Sequence, residues 1–216
     1  MRIAIGDIHG CCRTLQALLE KIKLQEGDEL YLLGDYIDRG PDSKGVLDTI
    51  MHLPCKVVAL KGNHEDLWIK AVKSGQGYYM FPYEYFLEMG MVATARSFGN
   101  CDITPYVEYV ASLPLWYETE DYLFVHGEFD FSLPDPFGPE GEESMLWSRG
   151  KEYKGGKPVI CGHTPLPLWQ IKESLSGKKI DIDNGCCYLM KGYGRLLAYD
   201  LDRRCLYEQE NIDYHY

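Results

Sequence analysis

Three short apolar segments, each followed by glycine and a polar residue, constrain the fold of this chain most strongly. The segments have the length and composition of buried strands and are residues 2–6, 29–33 and 56–60. The turns that follow them contain Gly6-Asp7, Gly34-Asp35 and Gly62-Asn63. Helical spacing of apolar residues follows the first segment, and Pro41 and Asp42 mark the start of a second helix. A strand–turn–helix unit that recurs in this way predicts a parallel sheet with helices packed on it.

The pattern changes after Pro114. Residues 64–113 are predicted to be mostly helical, and their Tyr/Phe-rich stretch 78–86 is interpreted as core packing in preference to a substrate groove. The strands predicted beyond Pro114 are 115–118, 122–126, 158–161, 179–183, 195–200 and 204–208. Glycine-rich turns between them favour an antiparallel sheet.

The long segment 128–142 is rich in proline, glycine and acidic residues. A loop of this length is either functional, here a possible lid over a site, or a solvated surface loop. Neither a repeat nor a linker interrupts the pattern, and we expect residues 1–216 to form a single domain.

The charge balance excludes several kinds of partner. With 22 Lys+Arg against 33 Asp+Glu, the formal net charge is −11, which argues against nucleic acid and against an anionic membrane surface. No stretch approaches the roughly 20 apolar residues that span a bilayer, and the N-terminal apolar run is too short for a signal peptide. We therefore expect a cytoplasmic protein with reduced cysteines. An anionic substrate would need positive charge from elsewhere, and a bound metal is its natural source.

Five polar motifs stand where strands are predicted to end. They are Gly6-Asp7-Ile8-His9-Gly10, Gly34-Asp35-Tyr36-Ile37-Asp38-Arg39-Gly40, Gly62-Asn63-His64-Glu65, Val125-His126-Gly127 and Gly162-His163. The carboxyl ends of parallel strands are where α/β sheets bind their ligands. The motifs contain four of the six histidines. Each motif alone has a structural interpretation, such as a turn or a helix cap, but their recurrence in order favours a common site.

The donor types in these motifs predict a metal centre. Aspartate, asparagine and histidine without thiolate suit manganese, iron or zinc in an open hydrolytic site. Two ions about 3.5–4 Å apart would share a carboxylate and clamp both ends of an in-line displacement. Asp35, between the first and third motifs, is the candidate for that shared carboxylate.

The signature GDxHG, GDxxDRG, GNHE resembles that of the calcineurin-like metallophosphoesterase superfamily, and most closely its small prokaryotic serine/threonine protein phosphatases. The motifs extend from Asp7 to His163. The resemblance implies an α/β fold, an αββα sandwich of two mixed sheets flanked by helices, with a dinuclear site at one edge. It also implies manganese as the expected metal and phosphorylated serine or threonine as the substrate.

The resemblance further implies a role for each motif residue. The implied metal ligands, of which Asp35 is shared, are Asp7, His9, Asp35, Asn63, His126 and His163. His64 resembles the general acid, with Asp38 orienting its imidazole. Arg39 and Arg149 would bind phosphoryl oxygens. Lys61 stands where relatives usually have arginine and would keep the positive charge without the planar, two-pronged contact.

Several alternatives remain open. A diadenosine tetraphosphate hydrolase, or another small-nucleotide hydrolase, would use the same metal chemistry. Asp38 and Glu65 favour the protein-phosphatase branch, because relatives that act on dinucleotides more often have alanine and aspartate there, whereas Lys61 weakens that preference. A thiol phosphatase is disfavoured because Cys11 and Cys12 lie in no C-x5-R loop. An inactive binding scaffold is disfavoured because every ligand position and His64 are filled. The sequence favours no particular oligomeric state.

Overall fold

The computed structural model describes residues 1–214, the side chains of Tyr78 and Tyr79 excepted. The strands are β1 (Arg2–Ile5), β2 (Glu29–Leu32), β3 (Lys56–Ala59), β4 (Trp116–Glu118), β5 (Leu123–Val125), β6 (Val159–Cys161), β7 (Lys179–Asp181), β8 (Arg195–Asp200) and β9 (Cys205–Glu210). The α-helices are α1 (Cys12–Ile22), α2 (Ser43–Met51), α3 (Asn63–Lys73), α4 (Tyr83–Glu88), α5 (Met91–Phe98), α6 (Thr104–Ser112), α7 (Glu142–Trp147) and α8 (Leu168–Ser174). Short 3₁₀ turns span Gly77–Met80 and Pro139–Gly141.

The first sheet has the strand order β3-β2-β1-β8-β9. Its first three strands are parallel, with Ile3 opposite Leu30 and Leu30 opposite Val57. The predicted parallel sheet is therefore confirmed. The last two strands of the chain extend it in antiparallel register, with Ile3 opposite Asp200. This sheet is mixed and joins the two ends of the chain.

The second sheet has the order β4-β5-β6-β7. β4 is antiparallel to β5, but β5, β6 and β7 are mutually parallel. The predicted antiparallel sheet is thus correct for β4–β5 and for β8–β9 and wrong for β5–β7. Parallel neighbours need crossover connections, and here the segments that contain α7 and α8 provide them. These helices are only six and seven residues long. Their sequences therefore show little helical periodicity, and the crossover connections could not be predicted.

The two mixed sheets with flanking helices confirm the predicted α/β sandwich. Alternate strand residues point to opposite faces, and Ala4, Tyr31 and Leu33 pack against side chains of the second sheet. Tyr31 stacks on Phe124 with 4.3 Å between ring centroids. On the other face, Ile3 and Ile5 share a core with residues of α1 and α2. This packing brings the ends of β1, β2, β3, β5 and β6, and hence all five motifs, to one edge.

Aromatic side chains anchor the long segment 128–142. Phe129 is 2% exposed and lies beside Phe137, with 4.8 Å between ring centroids. The indole nitrogen of Trp116 on β4 donates to the carbonyl of Phe137 over 3.2 Å. Glu128 is buried and pairs with Lys179, whereas the exposed acidic residues of the segment are Asp135, Glu140 and Glu142. Its role as a lid stays a prediction.

The Tyr/Phe-rich stretch 78–86 is not core throughout. Tyr83 is 68% exposed, so the core interpretation is wrong there, because α4 buries none of its residues completely. Phe81 and Tyr85 are half-buried and contact one another. The expectation for Tyr78 and Tyr79 falls outside the described side chains. None of the helices among the described residues is long and apolar enough to cross a membrane.

Candidate metal centre

The loops at this edge hold several non-glycine residues in left-handed backbone conformations. Positive φ angles occur at His9 (48°), Asp35 (53°), Asp38 (69°), Arg39 (67°) and His163 (65°). In the left-handed region of φ/ψ space the Cβ atom lies too close to the backbone, so a non-glycine residue there lowers the stability of the fold. Such residues persist only where surrounding contacts hold them in place. In the described part of the chain only two further non-glycine residues share this conformation. The unusual backbone is therefore concentrated in the predicted site.

Asp35 lies at the centre of the site. Its Oδ2 atom is 3.4 Å from Nε2 of His9 and 3.9 Å from Nε2 of His64. Its Oδ1 atom is 3.4 Å from Nε2 of His126. Two groups of donor atoms suited to a cation share this carboxylate, His9–Asp35–His64 and Asp35–His126–His163. The structure therefore brings the proposed shared carboxylate between two sets of imidazoles.

Backbone carbonyls orient three of the imidazoles. Nδ1 of His9 lies 3.0 Å from the carbonyl of Ile37, and Nδ1 of His126 lies 2.9 Å from that of Leu33. Because a carbonyl only accepts, these nitrogens carry the proton and Nε2 of each ring presents a lone pair. Nε2 of His163 likewise donates to the carbonyl of Trp147 over 3.2 Å, so the lone pair of this ring is on Nδ1.

The atoms of His126 and Asn63 that face the centre of the site are suited to binding a cation. Nε2 of His126 lies 2.9 Å from Oδ1 of Asn63, and with the tautomer set by Leu33 both atoms are acceptors. A shared cation stabilises such an approach. Burial and the nearby His126 lower the pKa of His163 to about 3, so this ring is neutral and able to bind metal at ordinary pH.

His64 differs from the other imidazoles in its partner. Its Nδ1 atom is 2.7 Å from Oδ2 of Asp38, a carboxylate in place of a carbonyl. Burial alone would lower the pKa of His64, but the charge of Asp35 and the bond to Asp38 together raise it. Its Nε2 atom is buried and, among the described residues, has no hydrogen-bond partner. This ring can hold a proton and offer it to a molecule in the site.

Asp7 is buried beside these groups but, among the described residues, belongs to neither of them. Both of its oxygens accept the backbone N–H of His163, at 3.1 and 3.2 Å. Burial and the carboxylates of Asp183 and Asp35 raise the pKa of Asp7. Burial also raises the pKa of Asp183 to about 7. The site therefore contains more buried carboxylate than its own cations offset, and a divalent ion would stabilise the charged forms.

Asp183 was not predicted from the sequence. The signal was available, since Asp183-Asn184-Gly185 ends a predicted strand much as Gly34-Asp35 does.

Glu65 was predicted only as a marker of the family branch, yet it organises the centre. Its carboxylate accepts the backbone N–H groups of Asp35 (2.8 Å), Tyr36 (2.8 Å) and Gly62 (2.9 Å). These bonds hold Asp35 in its left-handed conformation. Burial and the charge of Asp35 raise the pKa of Glu65 to about 7.

Two arginines line a cavity of about 520 Å³ above the carboxylate. Nη1 of Arg39 donates to Nε2 of His9 over 2.8 Å, and Nη2 of Arg149 lies 3.5 Å from the carbonyl of His163. The other lining residues are Asp35, Asn63, Tyr85, Glu88, Met89, Trp147, His163 and Tyr188. Lys61 is half-buried and is not among the described lining residues. Its contact with phosphate stays a prediction.

Comparison with known proteins places this geometry in context. The calcineurin-like phosphoesterase family model matches residues 2–214. A symmetrical bis(5'-nucleosyl)-tetraphosphatase of Erwinia tasmaniensis is 47% identical over 74 residues, which are 34% of this chain and 27% of that protein. The Legionella pneumophila protein of the same name is 51% identical over 63 residues, 29% and 23% of the two chains. The matches span about a quarter of the length of these curated relatives.

Solved structures share the fold over nearly the whole chain. A putative diadenosine tetraphosphatase superposes with a TM-score of 0.68 at 22% identity and covers 96% of this chain and 91% of its own. A serine/threonine phosphatase from Saccharomyces cerevisiae, similar to human phosphatase PP5, superposes with a TM-score of 0.63 at 18% identity and covers 99% and 81%. At these identities the likeness is one of fold.

Proposed function

Because the chain belongs to the calcineurin-like phosphoesterase family, we propose that it is a metal-dependent hydrolase that cleaves the polyphosphate chain of dinucleoside tetraphosphates. The preference for phosphoserine and phosphothreonine proteins, drawn from the sequence, gives way to its alternative. The curated relatives that support this choice are named as dinucleoside tetraphosphatases. Their short matches make the substrate a proposal.

The observation that carries the proposal is the combination of cations and flat aromatic surfaces in one cavity. Arg39 and Arg149 offer charge to phosphate oxygens, and Tyr85, Trp147 and Tyr188 offer faces for nucleobases. Stacking of a base on an aromatic ring contributes about 1–3 kcal/mol. A phosphorylated side chain alone would leave most of this aromatic wall without a contact. The cavity size, about 520 Å³, lies within the range of about 300–1,000 Å³ typical of small-molecule sites.

The donor set suits two divalent ions, with manganese, iron or zinc compatible with its oxygens and imidazoles. Asp7, His9 and Asp35 would hold one ion, and Asp35, Asn63, His126 and His163 the other. When bound, they would supply an activated water near neutral pH and offset the charge of the phosphates.

The chain's own residues then orient the substrate and move the proton. Arg39 and Arg149 hold the non-bridging oxygens of the phosphorus under attack and stabilise the charge that develops on them. His64 gives the proton on Nε2 to the leaving oxygen. Asp38 accepts the hydrogen bond from the Nδ1–H group throughout, and its charge stabilises the imidazolium before transfer.

A specific observation supports phosphoprotein dephosphorylation as the second candidate. A neighbouring cavity of about 710 Å³ shares Tyr85 and Trp147 with the first and carries Asp66, Glu140, Glu142 and Glu143 on its walls. Such an acidic surface would accept the basic residues that flank a phosphorylated side chain and would repel acidic peptides.

The deciding experiment compares diadenosine tetraphosphate with a basic phosphothreonine peptide at matched concentrations. The chain is stripped with chelator, reloaded with manganese, and the products are separated chromatographically. We expect ADP as the nucleotide product and a kcat/KM at least about tenfold above that for the peptide. Faster phosphate release from the peptide would establish the second candidate. Turnover of neither substrate with manganese, iron or zinc would indicate a binding scaffold, and a His64→Asn sample controls for contaminating phosphatases.

A further inference from the structure

Helix α5, which lies outside the five motifs, holds the loop that carries Asp38 and Arg39. The carbonyl of Gly90, just before the helix, accepts the backbone N–H of Arg39 over 3.1 Å. Gly90 has a φ of 73°, and a Cβ atom there would lie 2.7 Å from the nitrogen of Arg39. One turn further along, the side chain of Thr94 is buried and directed at Asp38.

Thr94 makes hydrogen bonds on both sides of its hydroxyl oxygen. Oγ1 donates to Oδ1 of Asp38 over 2.6 Å and accepts the backbone N–H of Asp38 over 2.8 Å. Oγ of Ser43 lies 2.8 Å from the same atom. The second carboxylate oxygen of Asp38, Oδ2, receives Nδ1 of His64 at 2.7 Å.

Counting protons fixes the direction of this network. A hydroxyl has one proton, and an ionised carboxylate only accepts. Since Thr94 gives its proton to Asp38, Ser43 must give its own to Thr94. The chain therefore runs Ser43 to Thr94 to Asp38, and His64 donates to Asp38 from the other side. Hydrogen bonds aligned in this way strengthen one another in a buried environment.

We propose that Thr94 is a positioning residue for His64. Its hydroxyl fixes the rotation of the Asp38 carboxylate, so that Oδ2 points at Nδ1 of His64 and Nε2 points into the cavity. This inference rests on the proposed role of His64 as the general acid, but it does not depend on which phosphoester is the natural substrate. Without the hydroxyl, the carboxylate would lose one of its two directional contacts and the imidazole its fixed orientation.

A purely structural role for Thr94 makes a different prediction. Loss of packing or of a local backbone contact would slow all substrates alike. Loss of proton delivery affects only those substrates whose leaving group needs a proton. Aryl phosphates with good and poor leaving groups therefore separate the two roles, and they do so whether or not the chain hydrolyses dinucleotides.

The test uses manganese-loaded chain with p-nitrophenyl phosphate and phenyl phosphate. Thr94→Val removes the hydroxyl at nearly constant volume, and Thr94→Ser restores it. Ser97→Ala is the matched control on the same helix, because Ser97 contacts Asp42 and Lys44 instead of Asp38. We expect Thr94→Val to lower kcat on phenyl phosphate by about tenfold or more and on p-nitrophenyl phosphate by less than about threefold. Thr94→Ser and Ser97→Ala should stay near wild type.

A second readout needs no turnover. The proton on Nδ1 of His64, held against Asp38, should give a downfield proton resonance in chelator-treated protein. Thr94→Val should broaden or shift this signal, and Thr94→Ser should retain it. Equal losses of kcat on both aryl phosphates, or an unchanged resonance in Thr94→Val, would overturn the proposal. Failure of the proposed dinucleotide activity would instead appear as absent ADP with these differences intact.

Discussion

Arg39 donates a hydrogen bond from Nη1 to Nε2 of His9 across 2.8 Å. Guanidinium has no acceptor, so the nitrogen of His9 that receives this bond carries a lone pair. That lone pair is also the one predicted to bind a metal ion, since Nδ1 is committed to the carbonyl of Ile37. The lone pair of His9 that is predicted to bind a metal ion therefore already accepts a hydrogen bond from the guanidinium of Arg39.

Arg39→Ala should therefore bind its first manganese ion more tightly than wild type while turning over more slowly. Removing the guanidinium frees the lone pair of His9 and relieves repulsion between two cations. We expect about tenfold tighter binding by isothermal titration calorimetry and about a hundredfold loss of kcat. Arg149→Ala is the control, because its contact is with the carbonyl of His163. Weaker metal binding in Arg39→Ala would contradict the competition.

Asp35→Asn should release metal from both positions. The two oxygens of Asp35 face different imidazoles, Oδ2 towards His9 and Oδ1 towards His126, and an amide offers one weaker oxygen in their place. Elemental analysis after dialysis should find less than about one metal per chain. Asp121→Asn, at an exposed salt bridge with Arg2, controls for the loss of charge. Two retained metals would exclude the shared role.

His64→Asn should lower kcat by about 10²–10⁴-fold and keep the metal. This outcome is not trivial, because His64 forms one of the two candidate metal-binding groups together with His9 and Asp35. If His64 is a ligand instead of an acid, metal content will fall together with turnover. Elemental analysis and kcat measured on the same sample distinguish the two roles.

The sequence predicted those parts of the fold and the site that depend on local pattern. The five motifs could be recognised because polar residues follow predicted buried strands. The parallel order of β1–β3 could be predicted from the helices between these strands. The direction of β5–β7 did not follow, because strands of three residues show too little alternation to reveal their neighbours. Thr94 was beyond reach for a different reason: its role comes only from the packing of α5 against the Asp38 loop.

Tyr85→Ala should raise KM for diadenosine tetraphosphate by at least about fivefold and leave p-nitrophenyl phosphate nearly unaffected. The ring of Tyr85 lines both neighbouring cavities, where a base would stack and a small aryl phosphate need not reach. A loss of about 1–3 kcal/mol of stacking corresponds to roughly five- to 150-fold. Tyr83→Ala, on the same helix with an exposed ring, is the matched control. An equal effect of both variants would remove Tyr85 from the substrate site.

Asp183→Asn should flatten the pH dependence of stability in chelator-treated protein. The folded-state pKa of about 7 lies above the ordinary value of 3.8, so the folded chain binds a proton that the unfolded chain releases. Stability therefore falls as pH rises through this window, by an amount on the order of a few kcal/mol. The neutral variant avoids the loss.

Thermal unfolding followed by circular dichroism at pH 5 and pH 8 measures this difference. We expect the variant to melt higher than wild type at pH 8 and by a smaller margin at pH 5, because pH 5 already lies above the unfolded pKa of 3.8. Asp121→Asn should track wild type at both pH values. If the difference in Tm between wild type and Asp183→Asn is the same at pH 5 and pH 8, ionisation of Asp183 does not destabilise the folded chain.

The site residues with left-handed backbone conformations are needed for activity but lower the stability of the folded chain. Selection for heat resistance and selection for activity therefore favour different residues at these positions. At about 1 kcal/mol each, His9, Asp35, Asp38, Arg39 and His163 together forgo roughly 5 kcal/mol, which is comparable with the net stability of a whole domain. Glycine at any of these positions would relax the backbone and remove a working side chain. Laboratory evolution that selects only for thermal stability would thus favour substitutions that inactivate this centre. Thermostable descendants should be sought under simultaneous screening for phosphoester hydrolysis.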